Sequence, residues 1–195
     1  MAAISNPDIW KPLIVILVLY ALIFGGFKGR ALVFCLGVAL LVNSNLTGLL
    51  KKFVDRHRPK QVERVRMVAL AEARPEFLTL FQRPTIRYSD ASDRERSGPS
   101  FPSGHVTNNV TTAVILAFFF RRWGWLYFLI AFAIAWSRVY LGAHWPSDVL
   151  ATFFLAAGVT ALLLALLEVV YRWLAGRIAP DFFVRHPRLV GDAIA

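Results

Sequence analysis

Ser137-Arg138-Val139-Tyr140-Leu141-Gly142-Ala143-His144-Trp145-Pro146-Ser147-Asp148 lies between two apolar runs, residues 125–136 and 149–167. Both runs belong to candidate membrane helices. Charged groups at such a depth are costly unless they are paired or face water, so polar residues at this junction point to a functional site. Pro146 suits the first position of the following helix, where its missing N–H costs nothing. Asp148 then falls in the first turn, favoured by the helix dipole, with His144 just outside it. An aspartate so placed can accept from one imidazole nitrogen and leave the other free to act. The plainer alternative is a loop whose histidine and aspartate only cap a helix. The stretch alone leaves both open.

Working outward, the 195-residue chain is 57% hydrophobic and only 17% charged. Globular chains carry roughly a quarter charged residues, and apolar runs of about twenty mark membrane spans. The single cysteine, Cys35, sits inside such a run, which excludes an internal disulfide and suggests a buried thiol. The N-terminus lacks a basic segment followed by a small-residue cleavage site, so its first apolar segment is expected to stay in place. A net charge of +10 calls for an anionic partner: lipid headgroups, nucleic acid or a phosphorylated substrate.

Hydropathy predicts an all-α, polytopic membrane helix bundle of about five spans, forming a single domain over residues 1–195. The spans are residues 9–27, 31–50, 105–120, 125–141 and 149–167, with a short basic connection over 25–30. Asn43, Ser44, Asn45 and Thr47 in the second span are expected to bond to neighbouring helices. Residues 51–103 form a long polar loop with twelve Lys or Arg against seven Asp or Glu. Within it Val62, Val65, Val68 and Leu70 recur at near-helical spacing, followed by Phe77, Leu78, Leu80 and Phe81. That spacing predicts one or two amphipathic helices lying on the membrane surface. Residues 83–99, rich in Ser, Asp, Arg, Gly and Pro, read as a loop. Glu168 and Arg172 are spaced for an ion pair on one helix face.

Lys28, Arg30, Arg121, Arg122 and the basic tail fall on one side of a five-span chain, which the positive-inside rule makes cytoplasmic. The N-terminus, the 51–103 loop and the His144 junction then lie on the outer side. The loop's own positive charges argue the other way, but they are partly neutralised and several have a chemical use.

Three polar clusters meet at span ends on that outer side. Lys51 and Arg58 are seven apart and would share a face if the second helix continues, with Pro59 discouraging further helix. Pro102-Ser103-Gly104-His105 opens the third span, where a helix N-terminus offers backbone N–H groups to an anion. The third cluster is the 137–148 stretch, which adds Arg138. Three cations, an anion nest, two histidines and an aspartate suit phosphoryl transfer. The cations neutralise phosphoryl oxygens, one histidine attacks and the other protonates the leaving oxygen. Two histidines and an aspartate would also suit zinc, but the surrounding cations repel a metal and no third ligand is evident. His57 and His186 read as ordinary side chains.

Lys51-x6-Arg58-Pro59, Pro102-Ser103-Gly104-His105 and Ser137-Arg138-x5-His144-x3-Asp148 resemble the three signature motifs of the type 2 phosphatidic acid phosphatase superfamily, all filled and in order. A lone Pro-Ser-Gly-His is weak evidence; three ordered motifs at helix ends are specific. The resemblance covers about half the chain through its motifs. It implies a phosphatase that needs no metal or other cofactor and works through a phosphohistidine. It implies His144 as nucleophile, Asp148 as its orienting partner and His105 as general acid, with Lys51, Arg58, Ser103, Gly104 and Arg138 on the phosphate. Many bacterial lipid phosphatases of this family have six spans with the first motif after the third; here it follows the second.

A phosphorylated membrane lipid is the expected substrate and the bilayer the expected surroundings, with lipid A 1-phosphate ranked first and undecaprenyl pyrophosphate close behind. The reason for that order is the surplus of loop arginines, including Arg64, Arg66 and Arg87, which a polyanionic headgroup would use. Phosphatidylglycerophosphate, phosphatidic acid and a soluble phosphate ester are enzyme alternatives. A non-catalytic lipid binder would have no need of both a nucleophile and an acid. Nucleic acid is not expected, because the basic residues sit at helix ends.

Overall fold

The computed structural model describes residues 7–69, 85–92 and 98–190. Among these, five long helices dominate: α1 (Pro7–Phe24), α2 (Gly26–Val54), α4 (Gly104–Phe119), α5 (Tyr127–Tyr140) and α6 (Pro146–Ile178). A short α3 (Pro59–Val62) follows α2, and α7 (Pro180–Arg185) follows α6. The five expected spans all coincide with these helices.

Their packing is that of a membrane bundle. Large apolar side chains point outward, among them Ile16, Leu129, Phe154 and Leu162, each more than 60% exposed. Buried positions instead include Asn43, Thr107, Thr111, Thr152 and Thr160. A protein folding in water would bury the first group, whereas hydrocarbon solvates it and drives the polar groups to bond one another. Asn43 Nδ2 donates to Thr160 Oγ1 at 3.1 Å, tying α2 to α6, and Thr47 and Thr107 hydroxyls meet at 3.2 Å, tying α2 to α4. Ser44 and Asn45 are exposed, and Asn45 bonds only back to the Leu41 carbonyl. α2 and α6 are each long and apolar enough to cross a membrane alone, while α1 and α5 are shorter apolar helices.

α4 is the axis of the bundle. It packs against α2, α5 and α6, and Val106, Val110, Ala113 and Ile115 along it are fully buried. Its 16 residues span about 24 Å, short enough to let polar ends emerge on both faces. Between α4 and α5, a 3-10 turn (Gly124–Leu126) passes so close to α4 that a Cβ at Gly124 would lie 1.9 Å from the Leu116 carbonyl oxygen.

Four local expectations are corrected. The connection at 25–30 is a single break at Gly25, because Gly26 takes a left-handed φ of +57° that lets α2 start at once. The first part of the expected surface helix is a strand, β1 (Arg66–Ala69), paired antiparallel with β2 (Thr85–Tyr88). Val68 on β1 and Thr85, Ile86 and Tyr88 on β2 favour that pairing over a helix; residues 70–84, including Phe77 and Phe81, lie outside the described residues. β2 also falls within the stretch read as a loop. Finally, Glu168 does not pair with Arg172: its Oε2 accepts the Leu189 backbone N–H at 3.0 Å, anchoring the C-terminal segment to α6.

The hairpin base is fixed to the site loop. Val65 and Ser89 exchange hydrogen bonds at 2.9 Å, and Val65 packs on Gly142. Gly142 has φ +63°, and a Cβ there would lie 2.8 Å from Val65 Cγ2, so both backbone and contact require glycine.

Candidate active site

The 137–148 stretch turns sharply at the end of α5. Arg138 O accepts the N–H groups of Ala143 at 3.1 Å and His144 at 3.3 Å, which folds the loop back on the helix. His144 and Arg138 are thereby neighbours. Pro146 opens α6 as expected, and Asp148 sits in its first turn. Both His144 and Asp148 are almost fully buried, at 3% and 1% exposure.

His144 Nδ1 lies 2.5 Å from the carbonyl oxygen of Ser100. A carbonyl only accepts, so Nδ1 carries the proton and Nε2 keeps its lone pair. Asp148 reaches the same serine from another side. Its Oδ2 accepts the Ser100 hydroxyl at 2.6 Å, and its Oδ1 accepts Arg56 Nη1 at 2.5 Å. The carboxylate is therefore coupled to the imidazole through Ser100, where the sequence suggested a direct bond. Ser100 is fully buried, and its own N–H donates to Arg56 O at 2.6 Å.

Arg56 and Ser100 are the two residues that sequence reasoning missed. Arg56 also donates to Ser147 Oγ at 3.2 Å and lies 5.8 Å from the Trp145 ring, whose Nε1 donates to His57 O at 2.8 Å. The segment after α2 is thus clasped to the start of α6. Arg56 stood inside the first motif, yet the spacing drew attention only to Lys51 and Arg58. Ser100 was hidden in a Gly-Pro-Ser run that looked like ordinary loop.

α2 ends at Val54, and Asp55 adopts a left-handed φ of 30°. Lys51 and Arg58 accordingly do not share a helix face, because the chain turns between them. The turn still brings both to the histidine. Burial pushes His144 down to about 3, and the positive charges of Arg58, Arg138 and Lys51 push it the same way; the Ser100 carbonyl opposes them. Arg58 is oriented by donating from Nε to Gly98 O at 2.8 Å, and its backbone N–H is capped by Gln61 Oε1 at 2.6 Å.

The α4 N-terminus completes the arrangement. Ser103 N–H donates to Thr152 Oγ1 at 3.1 Å, and Thr152 donates to Asp148 O at 2.6 Å. The Ser103 hydroxyl is buried without a hydrogen-bond partner. Beside it, a Cβ added to Gly104 would meet nothing within 4 Å, so there is open space at the helix end. His105 is half-buried in the first turn of α4. No three His, Cys, Asp or Glu side chains come together as a metal cage among the described residues. The site therefore offers a neutral imidazole with a free nitrogen, three cations whose field falls on it, and a helix N-terminus with an unused hydroxyl.

The chain is similar to several known phosphatases. An undecaprenyl-diphosphatase of Sulfolobus acidocaldarius is 41% identical over 64 residues, which is 32% of this chain and 31% of that protein. A lipid A 4'-phosphatase of Bacteroides thetaiotaomicron is 28% identical over 156 residues, 77% of this chain and 61% of that protein. The stretches matching curated relatives cover between 26% and 61% of those proteins' lengths. The crystal structure of Aquifex aeolicus LpxE superposes with a TM-score of 0.52 at 22% identity, covering 83% of this chain and 79% of that one, and so shares the fold. The PAP2 superfamily model matches residues 31–172, which takes in all three motifs and the helices that carry them: the chain belongs to the PAP2 superfamily.

Proposed function

We propose that this protein is a membrane phosphatase that hydrolyses a lipid-linked phosphate through a phosphohistidine at His144, in a bacterial inner membrane with the site at the outer face. The observation that carries this is the neutral His144, proton fixed on Nδ1 by the Ser100 carbonyl, lying in the field of Arg58, Arg138 and Lys51. His144 Nε2 attacks phosphorus as the bond to the leaving oxygen breaks, and His105 gives that oxygen its proton. Water then attacks the phosphohistidine, His105 takes its proton, and inorganic phosphate leaves with His144 neutral again. Lys51, Arg58 and Arg138, the Ser103 hydroxyl and the N–H groups at Gly104 stabilise the charge on the transferred group. Asp148 and Arg56 act through Ser100 to hold the imidazole.

For substrate, a polyprenyl diphosphate of the undecaprenyl type is favoured by the 41% identity over 64 residues to an enzyme of that name. Lipid A phosphate is the second reading, favoured by the 28% match over 77% of the chain. The loop arginines do not separate the two readings: Arg87 pairs with Asp90 at 3.8 Å, while Arg64 over the Tyr88 ring at 5.0 Å keeps its outward donors. Phosphate release by the purified protein from undecaprenyl diphosphate, lipid A and phosphatidic acid tests the assignment. Turnover is expected to be fastest on the diphosphate and to survive chelators. Equal turnover of all three, or rescue of a chelated enzyme by zinc or magnesium, contradicts it.

A further inference from the structure

The end of the bundle remote from His144 holds a cleft of about 320 Å³ that the chemistry above does not use. Lys28 in the first turn of α2, Phe120, Arg121, Arg122 and Trp123 after α4, and Arg188 in the C-terminal segment line it. α4 runs about 24 Å from Ser103 to this cleft, close to the thickness of a hydrocarbon core. Four cations meet here, and no carboxylate lines the cleft among the described residues. Lys28 Nζ lies 5.1 Å from the Phe120 ring centroid, and the Arg122 guanidinium lies 5.3 Å from that of Trp123. Cations seated on aromatic faces keep their outward N–H donors available while the rings mark the interface depth. The cations also come from three segments far apart in sequence, and Glu168, whose carboxylate accepts the Leu189 backbone N–H at 3.0 Å, is not among the residues that line the cleft.

We infer that this cleft binds the headgroup of an anionic phospholipid from the leaflet opposite the catalytic end. A phosphodiester there neutralises the cations and accepts from guanidinium groups, while its acyl chains lie along the apolar bundle surface. Bound lipid would link the start of α2, the α4–α5 turn and the C-terminal segment, and so stabilise the fold. Interfacial basic residues that serve only to orient the chain would need no cleft and would not select a ligand.

The test uses purified, delipidated full-length protein in neutral detergent. Adding phosphatidylglycerol should raise the thermal unfolding midpoint saturably, by about 5 °C near saturation, and phosphatidylcholine should not. The double variant Lys28→Gln/Arg122→Gln should lose the shift, whereas Arg58→Gln at the catalytic end should keep it. Inorganic phosphate at the same concentration should do little, because it lacks the acyl chains. Loss of the shift in Arg58→Gln only, or an equal shift with phosphatidylcholine or free phosphate, would overturn the inference. Should the double variant fail to fold, native mass spectrometry of the unaltered chain decides. One phosphatidylglycerol should persist at collision energies that strip phosphatidylcholine, and loss of both together would contradict a site.

Discussion

At the His144 end of the bundle, cationic side chains are tied down: Arg56 to Asp148 and Ser147, Arg58 to the Gly98 carbonyl. At the opposite end, Lys28 and Arg122 rest over the Phe120 and Trp123 rings. Fixed donors in a buried site cost no reorganisation when charge develops on a transferred group, which is how electrostatic catalysis gains its strength. Cations spread over exposed rings can adjust to a headgroup but cannot aim at one transition state. On the proposed reading, similar charge serves chemistry where hydrogen bonds fix it beside a buried histidine, and lipid contact where aromatic rings alone hold it.

The contrast is broken most severely at the buried carboxylate. Asp148→Asn should lower kcat by about 10³-fold or more, because the amide cannot hold both Arg56 and the Ser100 hydroxyl as the carboxylate does. His105→Asn should cost about 10²- to 10⁴-fold, the range for a lost general acid. The smaller loss belongs to Arg56, which touches no reacting atom. Arg56→Gln should lower kcat about 10- to 100-fold with KM little changed, and Arg56→Lys should recover part of it. A purely structural Arg56 would instead change the unfolding midpoint without that kcat-against-KM split.

The pH profile sharpens the contrast further. His144 is pushed down to about 3, so in the free enzyme it is already neutral at every pH above roughly 4. Between pH 5 and 8 the acid limb of kcat/KM should follow the substrate phosphate, whose second ionisation falls near 6 for a monoester. A limb that persists at pH 6.5 with a substrate lacking that ionisation would show a histidine of ordinary pKa. The mildest change expected is in stability. Gly142→Ala forces a side chain into φ +63° and against Val65, and should destabilise the fold by ~1–2 kcal/mol. Adding Val65→Ala should return the steric part only, as read from thermal unfolding in detergent.

Sidedness has its own measurement. With Cys35→Ala, a cysteine at exposed Ser92 should react with an impermeant maleimide in cells whose outer face is accessible. A cysteine at exposed Val184 should react only after the membrane is opened. The reverse pattern would place the long loop in the cytoplasm.

Much of this was legible in the sequence, because hydrocarbon imposes a simple rule on composition. Apolar runs located all five helices, and polar residues at their ends located His144, Asp148, Ser103 and Arg138. What escaped were features set by backbone turns. A left-handed Asp55 ends α2 before Arg58; aspartate is one of the few non-glycine residues that visit that conformation, but residue type alone does not say which aspartate will. Ser100 works through its carbonyl and N–H, which nearly every residue possesses, and through a hydroxyl of a kind common in loops, so its identity carried little signal. The strand over Arg66–Ala69 depends on a partner about twenty residues away, and valines spaced by three suit a helix equally well on paper.

The central claim is that phosphate passes through His144, and trapping the intermediate tests it most directly. Purified enzyme mixed with ³²P-labelled lipid substrate and quenched in alkali should carry label that survives base and is lost in acid, as a phosphohistidine does. His144→Ala should carry none and release no phosphate, while keeping the unfolding midpoint of a folded protein. Equal labelling of His144→Ala, or turnover close to that of the unaltered enzyme, would contradict the account.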